Sequence, residues 1–554
     1  MQPLYFTLGI IAVIFIAIVY GQIAAKKRLI IWMKIHYGKK PGDKEYNWKN
    51  IREFWNSHKE SIPEDEKMDD VTWNDLDMNL VFQRINNCNS FAGEQILYHT
   101  LHCLPKNKQA NELLENKINF FDKNSQEREN TQLLLSSLGK ADGSYSLPML
   151  MNNLDMVTLP GIWGYRIMQI LLILSILPSF IFQNPNLLFI TLGIFVINMI
   201  VYIKNKIKYE TYLNTLGSIL QIVKFAGKLT NTNKFSYENK FKDLKDLAVP
   251  FKNLNHLVGR IQSKKEISLT GNAEAIFFDY IIGATLWDFI IYNKIIRILM
   301  GKQKLFMELY KKVGEIDMCI SISSFRESLP FYCTPTFIKE HKIQMEDIYH
   351  PLIDEPICNT VQFNNNCIIT GSNASGKSTF IKAVTINSIL AQNINTCMAK
   401  DFTLPYGKII TSMAVRDDLM SGESYFIKEI KYLNRIIQSL NEERVIICAI
   451  DEILRGTNTE ERIAASASIL KYLNSKNCIA IVASHDIELT QLLNGLYDNY
   501  HFCEQIQEND IIFEYKIHEG AATTKNAIRL LELTHFPKEI IANAKNLKYV
   551  QNNA

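Results

Sequence analysis

The chain has 554 residues, more than one hydrophobic core can organise, so about three or four structural units are expected. Its 60 Lys and Arg against 57 Asp and Glu leave a formal charge of +3, too even a balance for a dedicated nucleic-acid binder, so any contact with DNA must be local. Ten cysteines are scattered from Cys88 to Cys503 without a CxxC pair, which speaks against a disulfide framework and for a reduced compartment.

Residues 1–25 carry no charged side chain, and an almost wholly apolar run over residues 4–20 is stopped by Lys26, Lys27 and Arg28. That is the pattern of a transmembrane anchor; a cleaved signal peptide would open on a basic region. Residues 26–68 are mixed polar and aromatic, with a Lys-Lys-Pro-Gly-Asp turn at 39–43, and read as a juxtamembrane linker. Helical spacing sets in over residues 69–160, through Leu76, Leu80, Ile96, Leu97, Leu101 and Leu104 to Pro105, as the first part of a helical core. His99, His102 and Cys103 lie together in it, but no fourth ligand is near and a structural role is expected.

Residues 161–203 read as a transmembrane helical hairpin. Residues 167–203 carry no charge, and Gln183, Asn184, Pro185 and Asn186 divide them into two apolar halves. Each half is short of the roughly 20 residues that cross a bilayer, but Trp163 and Tyr165 extend the first and Tyr202 closes the second. The competing reading is a hairpin buried in a protein core. With residues 26–28, Arg166, Lys204, Lys206 and Lys208 as flanks, every basic cluster falls on one side of the three spans. That side is then cytoplasmic, and the expected location is the cell membrane, multi-pass, with both large soluble parts in the cytoplasm.

Residues 204–345 return to helical spacing, a second core or lever segment in which Asp279 and Asp288 argue against a fourth span. From residue 346 to 554 the texture changes. Strand-like runs at 367–370, 445–450 and 478–483 are each followed by a helix-forming stretch, the alternation of an α/β unit with a largely parallel sheet.

The chemistry is concentrated there. Gly371, Ser372, Asn373, Ala374, Ser375, Gly376, Lys377 and Ser378, followed by Thr379, satisfy GxxxxGK[ST] between a strand and a helix, the phosphate-binding loop of a P-loop NTPase. Its backbone amides would close around phosphate oxygens, Lys377 would reach the β and γ phosphates of ATP, and Ser378 would ligate Mg²⁺. The strand at 445–450 ends in Asp451 and Glu452. Asp451 would hold Mg²⁺ through water, and Glu452 would orient or deprotonate the attacking water, since phosphoryl transfer needs positioning and charge neutralisation more than covalent help. After the third strand, His485 stands where an imidazole senses the γ-phosphate or holds the water.

These motifs together resemble the MutS mismatch-repair family. TGSNASGKST at 370–379 is similar to that family's TGPNMGGKST, and DEILRGTNTEER at 451–462 to its DELGRGTST signature. Asp417, Asp418, Leu419 and the run from Ser421 to Phe426 resemble DDLxxGxSTF, residues 483–486 resemble its ATH, and Tyr515, Lys516, Ile517 and Gly520 resemble YKLxxG. Upstream, Glu315, Ile316, Asp317 and Ser321, and the stretch at 72–105, look like pieces of the family's helical core. The resemblance implies an ATP hydrolase acting as a homodimer with composite sites, in which Ser424 of one subunit faces the nucleotide of the other, Asn359 contacts the nucleotide, and DNA is a partner. Leu454 departs from the family's Gly, Glu460, Glu461 and Arg462 replace its usual continuation, and no counterpart of the mismatch-reading Phe-x-Glu wedge is found. The expected fold class is an α/β P-loop NTPase domain with a MutS- or ABC-like parallel sheet, preceded by an all-α helical core with transmembrane helices.

Two other classes compete. An ABC-like transport ATPase would place its signature just before the Asp-Glu strand, whereas the 421–426 segment lies nearer the P-loop, and spans without charge make a poor substrate path. A nucleotide-gated membrane tether would bind ATP with turnover incidental.

Overall fold

The computed structural model describes residues 20–21, 23–105, 108–159, 161–182, 184–231, 242–254, 283–372, 375–413, 425–440, 444–507, 510–522, 531–532 and 536–553. The chain forms two compact units. The first gathers Met1–Ser61, Ile85–His99 and Asn116–Ser328, the second Ile62–Arg84, Thr100–Glu115 and Leu329–Ala554. Most of the expected first anchor, residues 1–19 and 22, lies outside the described residues.

The first unit is helical throughout its described residues. Its axis is the 25-residue helix Gln303–Glu327, whose Gly314 leaves no room for a side chain: a Cβ there would stand 2.4 Å from Ile96 Cγ1 and 2.6 Å from the Ala92 carbonyl. Facing it, a Cβ on Gly93 would meet Asp317 Oδ2 at 2.3 Å. The two glycines let the helices meet backbone to backbone. Asp317 is wholly buried, and burial raises its carboxyl above the usual range. Its oxygens accept from the Ser90 amide at 2.7 Å, the Ser90 hydroxyl at 2.6 Å and the Asn89 amide at 2.9 Å, satisfying free N–H groups where helix Phe91–Leu101 begins. Within the stretch read as a linker, helices Trp48–Ile51 and Glu53–His58 bury Ile51, Phe54 and Trp55, so its aromatic residues join the core.

The hairpin is two helices. Ile162–Ile181 is followed by the single turn Pro185–Leu187 and by Leu188–Asn231, 44 residues long. The second helix runs well past residue 203 because no proline interrupts it and a new apolar stripe begins at Leu216, Ile219, Leu220 and Val223, all buried. Among the described residues one helical segment, Leu188–Ile207, is long and apolar enough to cross a membrane, with 11% of its window buried; Ile162–Pro178 is apolar but shorter. Polar side chains turn inward: the Thr191 hydroxyl donates to the Ser175 carbonyl at 2.9 Å.

Among the described residues of the second unit, ten strands make two sheets: β1 Thr336–Ile338, β2 Ile343–Ile348, β3 Asn359–Phe363, β4 Asn366–Thr370, β5 Asp401–Pro405, β6 Gly407–Ser412, β7 Val445–Asp451, β8 Cys478–Ala483, β9 Tyr497–Gln507 and β10 Asp510–Glu519. The smaller sheet has the order β1-β5-β2-β3, the larger β10-β9-β4-β8-β7-β6, parallel except for the β9–β10 ribbon. The strands read at 367–370, 445–450 and 478–483 are the central β4, β7 and β8, whose two-sided burial leaves continuous apolar runs. One face packs Ile368, Ile410, Ile446, Cys448, Ile450 and Val482 against Ile436, Leu470 and Leu473. Helix Lys377–Ile394 contacts β6, β7 and β8 and takes no part in that cluster, so it covers the other face.

Residues 62–84 and 100–115, read from sequence as the end of the linker and part of the helical core, cluster with this sheet. The reason is an edge. Asp75 accepts from the Thr411 hydroxyl at 2.7 Å and the Met413 amide at 2.9 Å, and the Thr411 amide donates to the Thr72 hydroxyl at 3.2 Å. Helix Asp70–Asp75 thereby covers the open edge of β6.

Candidate functional site

β4 delivers the chain to Gly371 with φ 140°, and the helix Lys377–Ile394 starts after Gly376 with φ 103°. Both glycines are required twice over. Their backbone angles disfavour any other residue, and a Cβ would lie 2.6 Å from the Phe502 carbonyl at Gly371 or 2.9 Å from the Tyr515 ring at Gly376. Ser375 Oγ donates to the Ser372 carbonyl at 2.8 Å, and Ser372 Oγ donates to Glu504 at 3.0 Å. Lys377 is 3% exposed, and its ammonium donates to the carbonyls of Gly371 and Ser372, each at 2.7 Å. Burial pulls its pKa down, and Asp451, Glu452 and Glu504 partly oppose this. Asn373 and Ala374 lie outside the described residues.

Across the sheet, parallel pairing sets Asp451 beside Ala483. Burial raises the Asp451 carboxyl, a hydrogen bond from Ser378 works against that, and Asp451 Oδ1 is buried with no hydrogen-bond partner. An orphaned carboxylate oxygen next to a helix-start serine is the oxygen donor set that Mg²⁺ selects, so the residues fit that ion. A cavity of about 150 Å³ opens there, lined by Ser378, Ser412, Glu429, Asp451, Glu452 and Arg455 among others.

Glu452 has φ 58° and is held from several sides. Its amide donates to the Ala483 carbonyl at 3.1 Å, His485 Nε2 lies 2.5 Å from Oε1, and Arg455 pairs with Oε2 at 2.8 Å. The His485 hydrogen bond, ahead of the nearby cations, brings the Glu452 carboxyl below its ordinary range. His485 Nδ1 meets the Gly371 carbonyl at 2.9 Å. The Arg455 and Gly456 amides each donate to the Glu429 carboxylate at 3.1 Å, and Arg462 forks onto Asp486 at 2.9 and 2.7 Å.

Three expected site residues remain. Asn359 does line a second cavity, of about 260 Å³, with Gly376, Thr379, Phe380, His350 and Tyr515. Its amide group is used on backbone, however: Nδ2 donates to the Tyr515 carbonyl at 3.1 Å, and Oδ1 accepts from the Ile517 amide at 2.9 Å. Thr379 faces this cavity, not the Asp451 side. Ser424 and residues 417–423 lie outside the described residues. Sequence reading missed Arg455 and Glu429. The first is at i+3 from Glu452, a spacing that could have flagged it; the second is brought in only by the helix Tyr425–Ser439.

A family profile, MutS domain V, matches residues 367–550. The chain is 32% identical over 269 residues to the DNA mismatch repair protein MutS of Pseudothermotoga lettingae, covering 46% of this chain and 33% of that protein. It is 30% identical over 253 residues to the DNA mismatch repair protein MutS of Streptococcus uberis (43% and 29%), and 31% identical over 260 residues to human MutS protein homolog 4 (43% and 27%). The match therefore spans a third or less of these relatives' own length. Over its C-terminal half, this chain is similar to proteins of the MutS family, with residues 367–550 matching MutS domain V.

Proposed function

We propose that the second unit is an ATPase of the MutS type, a P-loop fold working as a homodimer on DNA and tethered to a membrane. The observation that carries this is the convergence on one atom: Lys377 Nζ and His485 Nδ1 both meet the Gly371 carbonyl, and Glu452 lies on the far side of the same imidazole. The phosphate loop and the carboxylate strand are thus joined at the point where a γ-phosphate and its attacking water belong.

In this reading the loop from Gly371 to Ser378 cradles the triphosphate, with Asn373, Ala374 and Thr379 as further contacts, and Lys377 exchanges its two carbonyl partners for phosphate oxygens. Ser378 and Asp451 hold Mg²⁺, which when bound neutralises charge on the phosphate oxygens. Glu452 orients the water. The His485 hydrogen bond that lowers the Glu452 carboxyl favours its ionised form, which can accept a hydrogen bond from that water. The cavity beside Asn359, walled by Tyr515 and Phe380, takes the base and sugar. Ser424 completes the partner's site in trans.

DNA as partner rests on the family relationship, and the relatives named as mismatch repair proteins supply the role. The hairpin supports the membrane tether: Ile167, Ile170, Ile173, Phe189, Ile197 and Ile200 are all more than half exposed, an apolar surface that water does not favour. Its place is then the cell membrane, with both units cytoplasmic.

ATP binding and turnover in Lys377→Ala and Glu452→Gln test the core of this. Lys377→Ala is expected to abolish binding, and Glu452→Gln to bind normally and turn over about 10²-fold more slowly. Normal affinity in the first with unchanged turnover in the second overturns the reading. DNA retention in gel shifts at low salt tests the partner, and loss of all retention removes it.

A further inference from the structure

On the β9–β10 ribbon, Glu504 pairs with Phe513 and Phe502 with Ile517, so Cys503 alone stands opposite Glu514, Tyr515 and Lys516. This bulge, with Tyr515 at φ 53°, gathers three side chains of different chemistry. The Cys503 Sγ, a Glu514 carboxylate oxygen and His518 Nε2 lie within 4.8 Å of one another, with Sγ to Oε2 at 3.7 Å and Nε2 to Oε2 at 3.4 Å. The N···O separation is long for a hydrogen bond, and the S···O one is an ordinary thiol contact. They match the edges of a tetrahedron around zinc, about 3.4–3.6 Å for Zn–S near 2.3 Å and Zn–N and Zn–O near 2.1 Å.

We propose that Cys503, Glu514 and His518 form a binding site for a Zn²⁺-class divalent cation, separate from the Asp451–Ser378 site. A divalent cation bound there would stabilise the Cys503 thiolate and the Glu514 carboxylate together. His501 is the register partner of His518, with the rings 5.5 Å apart. Its Nδ1 meets the Gly520 carbonyl at 3.0 Å. A carbonyl only accepts, so Nδ1 is the donor in that contact. His501 is not one of the three side chains that converge there, so water takes the fourth position. The mixed Cys, His and carboxylate set selects zinc over Mg²⁺ or Ca²⁺, which take oxygen ligands. Bound there, the ion would pin the bulge that sets Tyr515 against Gly376.

The full chain, stripped with chelator and held in excess Mg²⁺, is titrated with Zn²⁺ against a chromophoric competitor and separately with Co²⁺. One Zn²⁺ per chain is expected, with a thiolate-to-cobalt charge-transfer band for Co²⁺. Both Cys503→Ser and His518→Ala should weaken Zn²⁺ at least about tenfold, and Cys503→Ser should remove the band. His518 is exposed, so its variant should fold whatever happens at Cys503. Absence of stoichiometric Zn²⁺, a Co²⁺ spectrum without the thiolate band, or unchanged affinity in both variants overturns the proposal. Since no nucleotide is present, this failure is distinct from failure of the ATPase reading.

Discussion

His485 Nε2 lies 2.5 Å from Glu452 Oε1 while Nδ1 of the same ring lies 2.9 Å from the Gly371 carbonyl. A carbonyl oxygen only accepts, so Nδ1 donates to Gly371 and the ring bridges the phosphate loop to the Glu452 carboxylate. His485→Ala is expected to lower ATP turnover by about 10²-fold and to change nucleotide affinity only a few-fold. Affinity and turnover falling together would assign His485 to binding. The pH sign follows from Glu452, whose carboxyl is held down in the fold. Its contribution to stability is present above the unfolded pKa and is lost as pH falls through the lower folded one.

Leu454 occupies the position where the MutS signature has glycine, and it has φ 55°. A left-handed leucine costs about 1–2 kcal/mol, while its burial in the core under β7 contributes roughly 1.5–3 kcal/mol. Burial wins narrowly, so leucine is tolerated. Leu454→Gly and Leu454→Ala lose nearly the same packing, but only glycine relieves the backbone. Urea unfolding is expected to rank Leu454→Gly above Leu454→Ala by about 1 kcal/mol, the reverse of their order in ordinary backbone.

Glu429 is 5% exposed and accepts from two successive amides of the loop that carries Arg455. Glu429→Ala leaves both donors without a partner, at about 1–3 kcal/mol each. Because Arg455 in turn pairs with Glu452, turnover should fall about tenfold or more with little change in KM. A KM effect without a kcat effect would separate Glu429 from the carboxylate.

Burial, reinforced by Lys382, depresses the His350 imidazole from 6.5 to about 4. Between those values the unfolded chain binds the extra proton, so stability rises with pH across the window and is lost as pH falls from 6.5 towards 4, by up to roughly 3 kcal/mol. Chemical denaturation of wild type and His350→Gln at pH 4.5 and 7 measures it, and the variant should show a flatter dependence.

The turn at Pro185–Leu187 joins the two apolar helices of the hairpin. If the hairpin spans, an epitope inserted after Asn184 is reached by antibody in intact spheroplasts, while a C-terminal epitope is reached only after permeabilisation. Both epitopes shielded until permeabilisation would return the hairpin to a protein core.

What could be read along the chain was what depends on neighbours in the chain. The loop from Gly371 to Ser378, the Asp451–Glu452 pair and His485 each lie at the end of a strand or the start of a helix, and the apolar runs of β4, β7 and β8 follow from burial on both faces. Local spacing encodes such features because backbone geometry alone brings their atoms together. The rest was decided by contacts between residues far apart in sequence. Asn359 lines the cavity beside Tyr515, but the clamp its amide group makes on the Tyr515–Ile517 backbone is not legible in sequence. Thr72 and Asp75 belong to a helical stretch by pattern and to the edge of β6 by hydrogen bonding. Cys503, Glu514 and His518 have no motif spacing at all; a bulge in an antiparallel ribbon shifts the register and turns three ordinary surface positions towards one point. Register and bulges arise from pairing across strands, and no short window of sequence contains both partners.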